Sequence, residues 1–158
     1  MAPFPSWLRI KRELFAVISR SAFAIYGRVP IFGYLPGAVA VLRKGELFLI
    51  VDRSDGRGFS FPGGFSLPWE TAEQAMRREV LEETGLMIDN PSLLFQYRTS
   101  VDIPCVVTVF EAKASGTLTE SWEGTPRWLS AMEIRNRLLP SQREIIDRIS
   151  GETKLDTP

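Results

Sequence analysis

The stretch of sequence that decides the fold is GFSLPWETAEQAMRREVLEETGL, residues 64–86. Its second part predicts a helix. Thr71 is a typical N-cap residue, and Gln74 three positions later completes a capping box. Gly85 is suited to the left-handed conformation that follows a last helical turn. We therefore expect one helix that begins at Thr71 and ends at about Thr84.

This helix carries acidic residues on the face that should meet the core, since residues three or four positions apart share a face. Its apolar stripe consists of Ala72, Ala75, Met76 and Val80. Glu79 and Glu83 fall on the same stripe, with Glu82 at its edge. Two glutamates at i and i+4 repel each other by about 0.2–0.5 kcal/mol, and the helix dipole disfavours anions near this end. A divalent cation would offset both effects; the alternative is an acidic helix end that faces water.

The composition restricts the chemistry that these glutamates can support. The 158 residues include no histidine and one cysteine, Cys105. Catalysis by Ser-His-Asp or Cys-His groups and histidine-ligated zinc are therefore excluded, whereas carboxylate oxygens suit hard cations such as Mg²⁺ and Mn²⁺. A lone cysteine cannot form an internal disulfide, which favours a reducing, cytoplasmic compartment. The balance of 19 basic and 19 acidic residues argues against stable nucleic-acid binding.

The flanking sequence predicts one α/β or α+β domain around a mixed sheet. Strands are expected at residues 38–42, 47–51, 59–61, 93–97, 106–112 and 127–129. Asn90-Pro91 is expected to turn the chain between the helix and the fourth strand. Two short helices that open with capping boxes, Ser130 with Glu133 and Ser141 with Glu144, are expected to close the domain.

The first 30 residues form a separate N-terminal helical extension in this prediction. Residues 6–28 are apolar with scattered basic side chains, and Ser6 is suited to cap a helix. Charges throughout argue against a secretory signal, and Arg20 interrupts a run already too short to span a membrane. The helix could pack on its own domain, form a homodimer contact, or lie on a membrane surface. The domain is then expected at residues 31–150, with 151–158 a flexible tail.

The helix and the loop before it also follow a fixed pattern. Gly64 is followed after five residues by Glu70, and after seven more by the run REVLEETGL, from Arg78 to Leu86. This pattern resembles the Nudix box at every defining position. The resemblance implies an α-β-α sandwich around a mixed sheet. It also implies hydrolysis of a phosphoanhydride bond in a nucleoside diphosphate derivative by metal-activated water. The alternative is a nucleotide-binding or regulatory module with little catalysis.

The resemblance also implies roles for individual residues. The metal ligands that it implies are the carbonyl of Gly63 and the side chains of Glu79, Glu82 and Glu83, with Mg²⁺ as the cofactor and Mn²⁺ as a possible substitute. Arg78 would orient Glu79, and Glu70 would brace the loop through Arg78 or the backbone.

The general base stays open among several glutamates. Glu79 and Glu83 are favoured, because a carboxylate beside the metal can take the proton from water. Some family members use a later loop instead, where the candidates are Glu120 and Glu123, and Glu111 is a weaker one.

The substrate is expected to be a small nucleoside diphosphate-type molecule, and its contacts are the least specified part of the prediction. The candidates are Arg53, Arg57, Phe61, Trp69 and Arg98. The arginines could bind phosphate or be solvated surface charges. Trp69 stands where family members often have glycine; it could wall the site, stack on a base or cover the core.

Overall fold

We analysed a computed structural model, which describes residues 33–152 and four residues before them, Ile10, Lys11, Glu13 and Leu14. For residues 151 and 152 it describes the backbone alone. The four N-terminal residues have helical backbone, and the side chains of Ile10 and Leu14 are exposed. The rest of the predicted N-terminal helix, and residues 153–158 of the predicted tail, lie outside the described residues.

Seven strands form a mixed sheet. They are β1 (Leu35–Lys44), β2 (Leu47–Arg53), β3 (Phe59–Ser60), β4 (Gly63–Phe65), β5 (Leu86–Thr99), β6 (Cys105–Gly116) and β7 (Gly124–Ser130). The strand order is β3-β2-β1-β6-β5, with β4 paired to β1 and β7 paired to β2. Strand β1 runs parallel to β6, and the other named pairs are antiparallel. The predicted α+β class with a mixed sheet is therefore confirmed.

Helices cover both faces of this sheet. They are α1 (Ala72–Thr84), α2 (Ala131–Arg135) and α3 (Arg143–Glu152), and a 3₁₀ turn, Pro140–Gln142, precedes α3. Alternate side chains of a strand point to opposite faces. Ala38 and Ala40 of β1 accordingly belong to the core cluster that contains Met76 and Val80 of α1, while Val39 lies in the cluster on the opposite face. The predicted α-β-α sandwich is thus observed.

Helix α1 begins and ends as its sequence predicts. The Thr71 hydroxyl accepts a hydrogen bond from the backbone N–H of Gln74 (3.2 Å), and the Gln74 side chain accepts one from the N–H of Thr71 (2.9 Å). At the other end Gly85 has a φ of 75° and donates to the carbonyl of Leu81 (2.9 Å). The two caps fix where the helix starts and stops, and therefore which side chains its inner face presents.

The predicted turn at Asn90-Pro91 is wrong. Strand β5 continues through both residues, and its pairing with β6 shifts register between Asp89 and Ser92. Asn90 has a φ of 46°, which asparagine tolerates better than most residues. A bulge at this point absorbs Pro91, which has no N–H to donate to the ladder.

The predicted capping box of Ser141 and Glu144 is also wrong. Ser141 lies within the 3₁₀ turn, and α3 begins at Arg143. Tertiary contacts take the backbone of Ser141 instead: its N–H donates to Asp102 Oδ2 (3.0 Å) and its carbonyl accepts from the Tyr97 hydroxyl (2.8 Å). Helix α3 extends to Glu152, two residues into the predicted tail. None of the helices in the described ranges is long and apolar enough to cross a membrane.

Candidate active site

Glu83 lies at the bottom of the site, on the inner face of α1. Only 2% of its surface is exposed, and its Oε2 accepts a hydrogen bond from the backbone N–H of Gly63 (2.9 Å). Gly63 has a φ of 146°, and a Cβ atom there would lie 2.2 Å from the carbonyl oxygen of Ala38. Only glycine therefore allows the backbone to approach β1 so closely while its N–H holds the glutamate.

Glu79 occupies space that is left by the next glycine. A Cβ atom on Gly64 would lie 2.6 Å from the carboxyl carbon of Glu79. The Glu79 side chain is 14% exposed, and its Oε1 accepts a hydrogen bond from Nη1 of Arg78 (2.8 Å). The same Nη1 lies 3.4 Å from Glu82, whose side chain is 54% exposed. These three glutamates of the helix, Glu79, Glu82 and Glu83, thus differ in their surroundings, from fully buried to half exposed.

Arg78 is held from the side opposite to Glu79. Its Nε and Nη2 donate to the two carboxylate oxygens of Glu70, at 2.7 and 3.0 Å, in a bidentate pair. Glu70 also accepts from the backbone N–H of Leu67 (2.9 Å). The Arg78 guanidinium, followed by that N–H, lowers the pKa of Glu70 to about 2, and Glu70 in turn raises the pKa of Arg78. The loop before α1 is therefore tied to the helix by a charged pair.

Burial opposes ionisation of the carboxylates near the C-terminal end of α1. It raises the pKa of Glu79 and, still more, that of Glu83, where the hydrogen bond from Gly63 acts in the opposite direction. Burial, followed by the charge of Glu79, also raises the pKa of Glu123 to about 7. Glu123 stands in the loop before β7 and completes a cluster of mutually repelling acids.

Neither of the other two candidate bases is among the charges that shift the pKa of Glu83. Glu120 is exposed. Glu111 belongs to β6 and pairs with Arg43 (3.3 Å). Of the three candidates that follow α1 in the chain, Glu111, Glu120 and Glu123, it is Glu123 whose charge raises the pKa of Glu83.

The carboxylates of Glu79, Glu82 and Glu83 suit a hard divalent cation, because their oxygens carry like charges in a partly buried site. In the described part of the chain, however, no group of three or more acidic or cysteine side chains is arranged to hold a metal ion as it stands. The hydrogen bonds above give the reason: Glu79 is turned toward Arg78, and Glu83 toward the N–H of Gly63. A bound cation would require these carboxylates to turn toward one another.

A cleft opens beside the glutamates. The space inside it that water-sized molecules can reach is about 100 Å³. Gly63 and Gly64 form one end, and the apolar wall consists of Val39, Ile103, Cys105, Val107 and Leu139. The polar side chains that line it are Arg53, Asp102, Ser141 and Gln142. The cleft therefore combines an apolar wall with a few polar groups next to the acidic cluster.

Three of the predicted substrate contacts do not line this cleft. Phe61 is fully buried and meets Phe48 edge to face, with ring centroids 6.3 Å apart, so its ring belongs to the core and is not available to a substrate. Arg98 is not among the residues that line the cleft; its guanidinium lies above the ring of Tyr34, 5.6 Å from the centroid. Trp69 is 78% exposed, so it does not cover the core, and it does not line the cleft either.

Arg53 and Arg57 lie close to the cleft. Arg53 lines it and pairs with the buried Asp55 (2.5 Å). Arg57 donates to Asp102 Oδ1 (3.0 Å) and lines a neighbouring, more polar cleft together with Arg53, Arg137 and Arg143. Both arginines are thus anchored by aspartates, as is common for side chains that present a guanidinium in a fixed direction.

Sequence reasoning missed Asp102 and Gln142. Asp102 receives hydrogen bonds from Arg57 and from the N–H of Ser141. Gln142 receives one from the N–H of Phe61 (2.7 Å). Partners 39 to 81 positions away in the chain make these contacts, and no local pattern marks either residue. Only a prediction of the tertiary packing could have found them.

A model of the NUDIX domain matches residues 33–149, so the chain belongs to this family. It is 32% identical over 103 residues to a MutT-like protein of Streptomyces ambofaciens, an alignment that covers 64% of this chain and 66% of the relative. It is 43% identical over 70 residues to an ADP-ribose pyrophosphatase of Methanocaldococcus jannaschii, covering 40% and 41% of the two chains. The chain therefore spans less than two thirds of the length of these curated relatives.

The fold is similar to solved structures. The solution structure of the E. coli ORF135 protein superposes with a TM-score of 0.68 at 20% identity, over 82% of this chain and 99% of that one. At this identity the similarity supports the architecture alone. The resemblance of residues 64–86 to the Nudix box and the family assignment thus agree.

Proposed function

We propose that this protein is a pyrophosphohydrolase that cleaves a phosphoanhydride bond in a small nucleoside diphosphate derivative, with Mg²⁺ or Mn²⁺ as cofactor. Three facts support the proposal: the family to which the chain belongs, the box residues in the family pattern, and a cleft next to the acidic cluster. A catalytic domain at residues 31–150, a cytoplasmic location and a small-molecule partner are parts of the same proposal.

The observation that carries the proposal is the burial of Glu83. Within the described residues this carboxylate is 98% buried and has no positively charged hydrogen-bond partner, although the charge of Arg53 acts on it from farther away, and such burial is unfavourable for the fold. Glu79 and Glu123 add like charges beside it. Violations of the usual burial rules are expected where a site is built for a ligand, and a divalent cation is the ligand that would offset this excess of negative charge.

The side chains of Glu79, Glu82 and Glu83 would hold the cation, with the backbone carbonyl of Gly63 as a further donor. When bound, such an ion neutralises phosphate charge and lowers the pKa of a water molecule. The chain's own residues position these ligands. Arg78 holds Oε1 of Glu79 through its 2.8 Å hydrogen bond, and Glu70 holds Arg78 in turn, so that a bound cation would have to draw this carboxylate toward the other ligands.

The candidate proton acceptors for the attacking water lie in the acidic cluster and in the loop before β7. Glu83 and Glu79 are within the cluster itself, and Glu123 faces them from the loop before β7. We propose that one of these three takes the proton, because general-base catalysis requires a carboxylate within reach of the water. We also propose that Arg53, which lines the cleft, contacts substrate phosphate.

The proposal is tested by a substrate screen with and without Mg²⁺ or Mn²⁺, with nucleoside triphosphates (ordinary and oxidised), ADP-ribose, dinucleoside polyphosphates, nucleotide sugars and NADH as candidates. Release of pyrophosphate or nucleoside monophosphate is measured. We expect hydrolysis of at least one class, abolished by a chelator. Binding without product at any metal concentration would instead indicate a regulatory module.

A pair of variants connects the activity to the acidic cluster. Glu83→Gln should lower kcat by at least about 100-fold, because even residues that only support metal ligands cost 10–100-fold when changed. The matched control is Glu73→Gln on the same helix, whose carboxylate faces solvent and pairs with Arg77. Equal activity of Glu83→Gln and the control would refute the role of Glu83.

A further inference from the structure

A second cleft lies beside the first, and arginines dominate its lining. Its charged lining residues are four arginines and one aspartate: Arg53, Arg57, Arg137, Arg143 and Asp52. We call it the arginine cleft. The space inside it that water-sized molecules can reach is about 320 Å³. The chain as a whole has equal numbers of basic and acidic residues, so this excess of positive charge is local. A cleft lined mainly by one sign of charge concentrates ions of the opposite sign.

The arginine cleft is separate from the cleft beside the glutamates. Leu139 and Ser141, in the segment before α3, line the first cleft. Leu138 and Pro140, which alternate with them in the chain, line the arginine cleft, so this segment lies between the two. Arg53 is the one residue that lines both. A ligand of the arginine cleft would therefore lie next to the substrate without taking its place.

Aspartates hold two of the arginines in fixed positions. Arg53 pairs with Asp55 (2.5 Å), and Arg57 pairs with Asp102 (3.0 Å). None of these four side chains is more than 18% exposed. A guanidinium that is already ordered loses little further freedom when it binds a ligand, which favours binding.

The other two arginines leave positive charge that the aspartates do not balance. Arg137 lies over the ring of Phe59, 4.0 Å from its centroid, and 3.9 Å from Asp52. Asp52 is shared with Arg127 at 3.5 Å. Arg143, the first residue of α3, is exposed and has no ion-pair partner among the described residues. The cleft thus presents guanidinium groups to solvent rather than closed ion pairs alone.

Close packing of the backbone brings these arginines together from distant parts of the sequence. Gly58 has a φ of 105°, and a Cβ atom there would lie 2.2 Å from the carbonyl oxygen of Arg137. The N–H of Phe59 donates to the same oxygen (2.7 Å). Glycine therefore lets the β2–β3 loop approach the segment before α3. The result places like charges side by side, an arrangement expected where an anion binds.

We propose that the arginine cleft is a second anion site, which binds a phosphate group other than the anhydride that is cleaved. Arginine suits this ligand, because its planar guanidinium can donate two parallel hydrogen bonds to phosphate oxygens. The phosphate has two possible sources: a free ion such as pyrophosphate, or a distal phosphate of a substrate that extends past Arg53. Only the second source rests on the proposed function.

The probe for a test is inorganic pyrophosphate, which is titrated into the full chain by calorimetry. A chelator is present, so that no metal ion links the anion to the glutamates, and the ionic strength is low, because salt screens exposed charges. We expect saturable binding to the wild type. The double variant Arg137→Gln/Arg143→Gln should bind at least about tenfold more weakly, since hydrogen bonds between charged groups are the stronger ones.

The matched control is Arg135→Gln/Arg148→Gln, which removes the same charge from α2 and α3 outside the cleft, where the partners are Asp147 and Glu144. It should bind pyrophosphate like the wild type. Thermal melting reports on the fold of each variant. If the cleft double variant melts early, Arg143→Gln alone takes its place and should still weaken binding. A wild type that binds no pyrophosphate, or equal affinity of the cleft variant and the control, would overturn the inference.

Steady-state kinetics on the best substrate of the screen distinguish the two sources. For a distal phosphate, the cleft variant should raise KM for nucleotides with a longer phosphate chain and leave KM for shorter ones unchanged. For a free ion, KM should be unchanged for both. Pyrophosphate binding that the cleft variant loses, in a chain that hydrolyses nothing, would support the inference while contradicting the proposed function. Hydrolysis by a chain that binds no pyrophosphate without metal would overturn the inference alone.

Discussion

Replacement of Gly64 by alanine should reduce activity without damaging the fold. The new Cβ atom would lie 2.6 Å from Cδ and from Oε1 of Glu79, whereas ordinary contact begins at 3.4 Å. The carboxylate must therefore move by about 0.8 Å. Gly64 is not among the glycines with positive φ, so that alanine fits the backbone, and the end of a glutamate side chain can yield.

The magnitude follows from that displacement. Misplacement of a catalytic group by about 1 Å can cost about 100-fold in rate, and we expect a similar loss of kcat/KM. The free energy of unfolding should change by less than about 1 kcal/mol, because the lower entropy of the unfolded chain offsets part of the local strain. Steady-state kinetics on the best substrate of the screen and urea unfolding measure the two quantities.

A double-mutant cycle shows whether the effect passes through Glu79. In a Glu79→Gln background, Gly64→Ala should add little further loss, since residues that act through one another are not additive. If Gly64→Ala keeps kcat/KM within about threefold of the wild type, or if the two losses multiply, the proposed contact between Gly64 and a functional Glu79 is refuted.

Two further predictions concern the fold. Thr71→Ala should lower the free energy of unfolding by about 1 kcal/mol, because the N-cap of α1 is lost; Thr71→Ser should be close to the wild type, and equal stability of all three would contradict the capping role. Burial, then the charge of Asp102, raises the pKa of the Cys105 thiol to about 11 from its usual 9.0. As pH rises from about 9 to about 11, the unfolded state releases the thiol proton while the native state keeps it, so stability should fall. A thiol reagent at pH 8 should accordingly label this single cysteine much faster in urea than in buffer, and equal rates would contradict its burial.

Local signals determined how far the sequence could predict the fold. Helix α1 was predicted well, because Thr71, Gln74 and Gly85 act within a few positions of one another. The inward position of Glu83 followed from helical periodicity. At Asn90-Pro91 the same turn chemistry was misleading, since pairing with β6 overrides it and converts the expected turn into a bulge.

The cleft shows where local reasoning ends. Ser141 has the residue type of an N-cap, yet Asp102 and Tyr97 take its backbone groups, and the helix starts two residues later. Phe61 was a candidate substrate contact, but between β3 and β4 its ring is buried in the core against Phe48. The contacts of Gln142 depend on a partner 81 positions away, which no local pattern could indicate.

The most direct test of the central claim is the binding of Mn²⁺, which is measured by electron paramagnetic resonance of the free ion. We expect the wild-type chain to bind Mn²⁺, and the double variant Glu82→Gln/Glu83→Gln to bind it at least about tenfold more weakly. The control Glu73→Gln should match the wild type, since this exposed residue pairs with Arg77. Equal affinity of the double variant and the wild type would contradict the claim that Glu82 and Glu83 belong to the cation site.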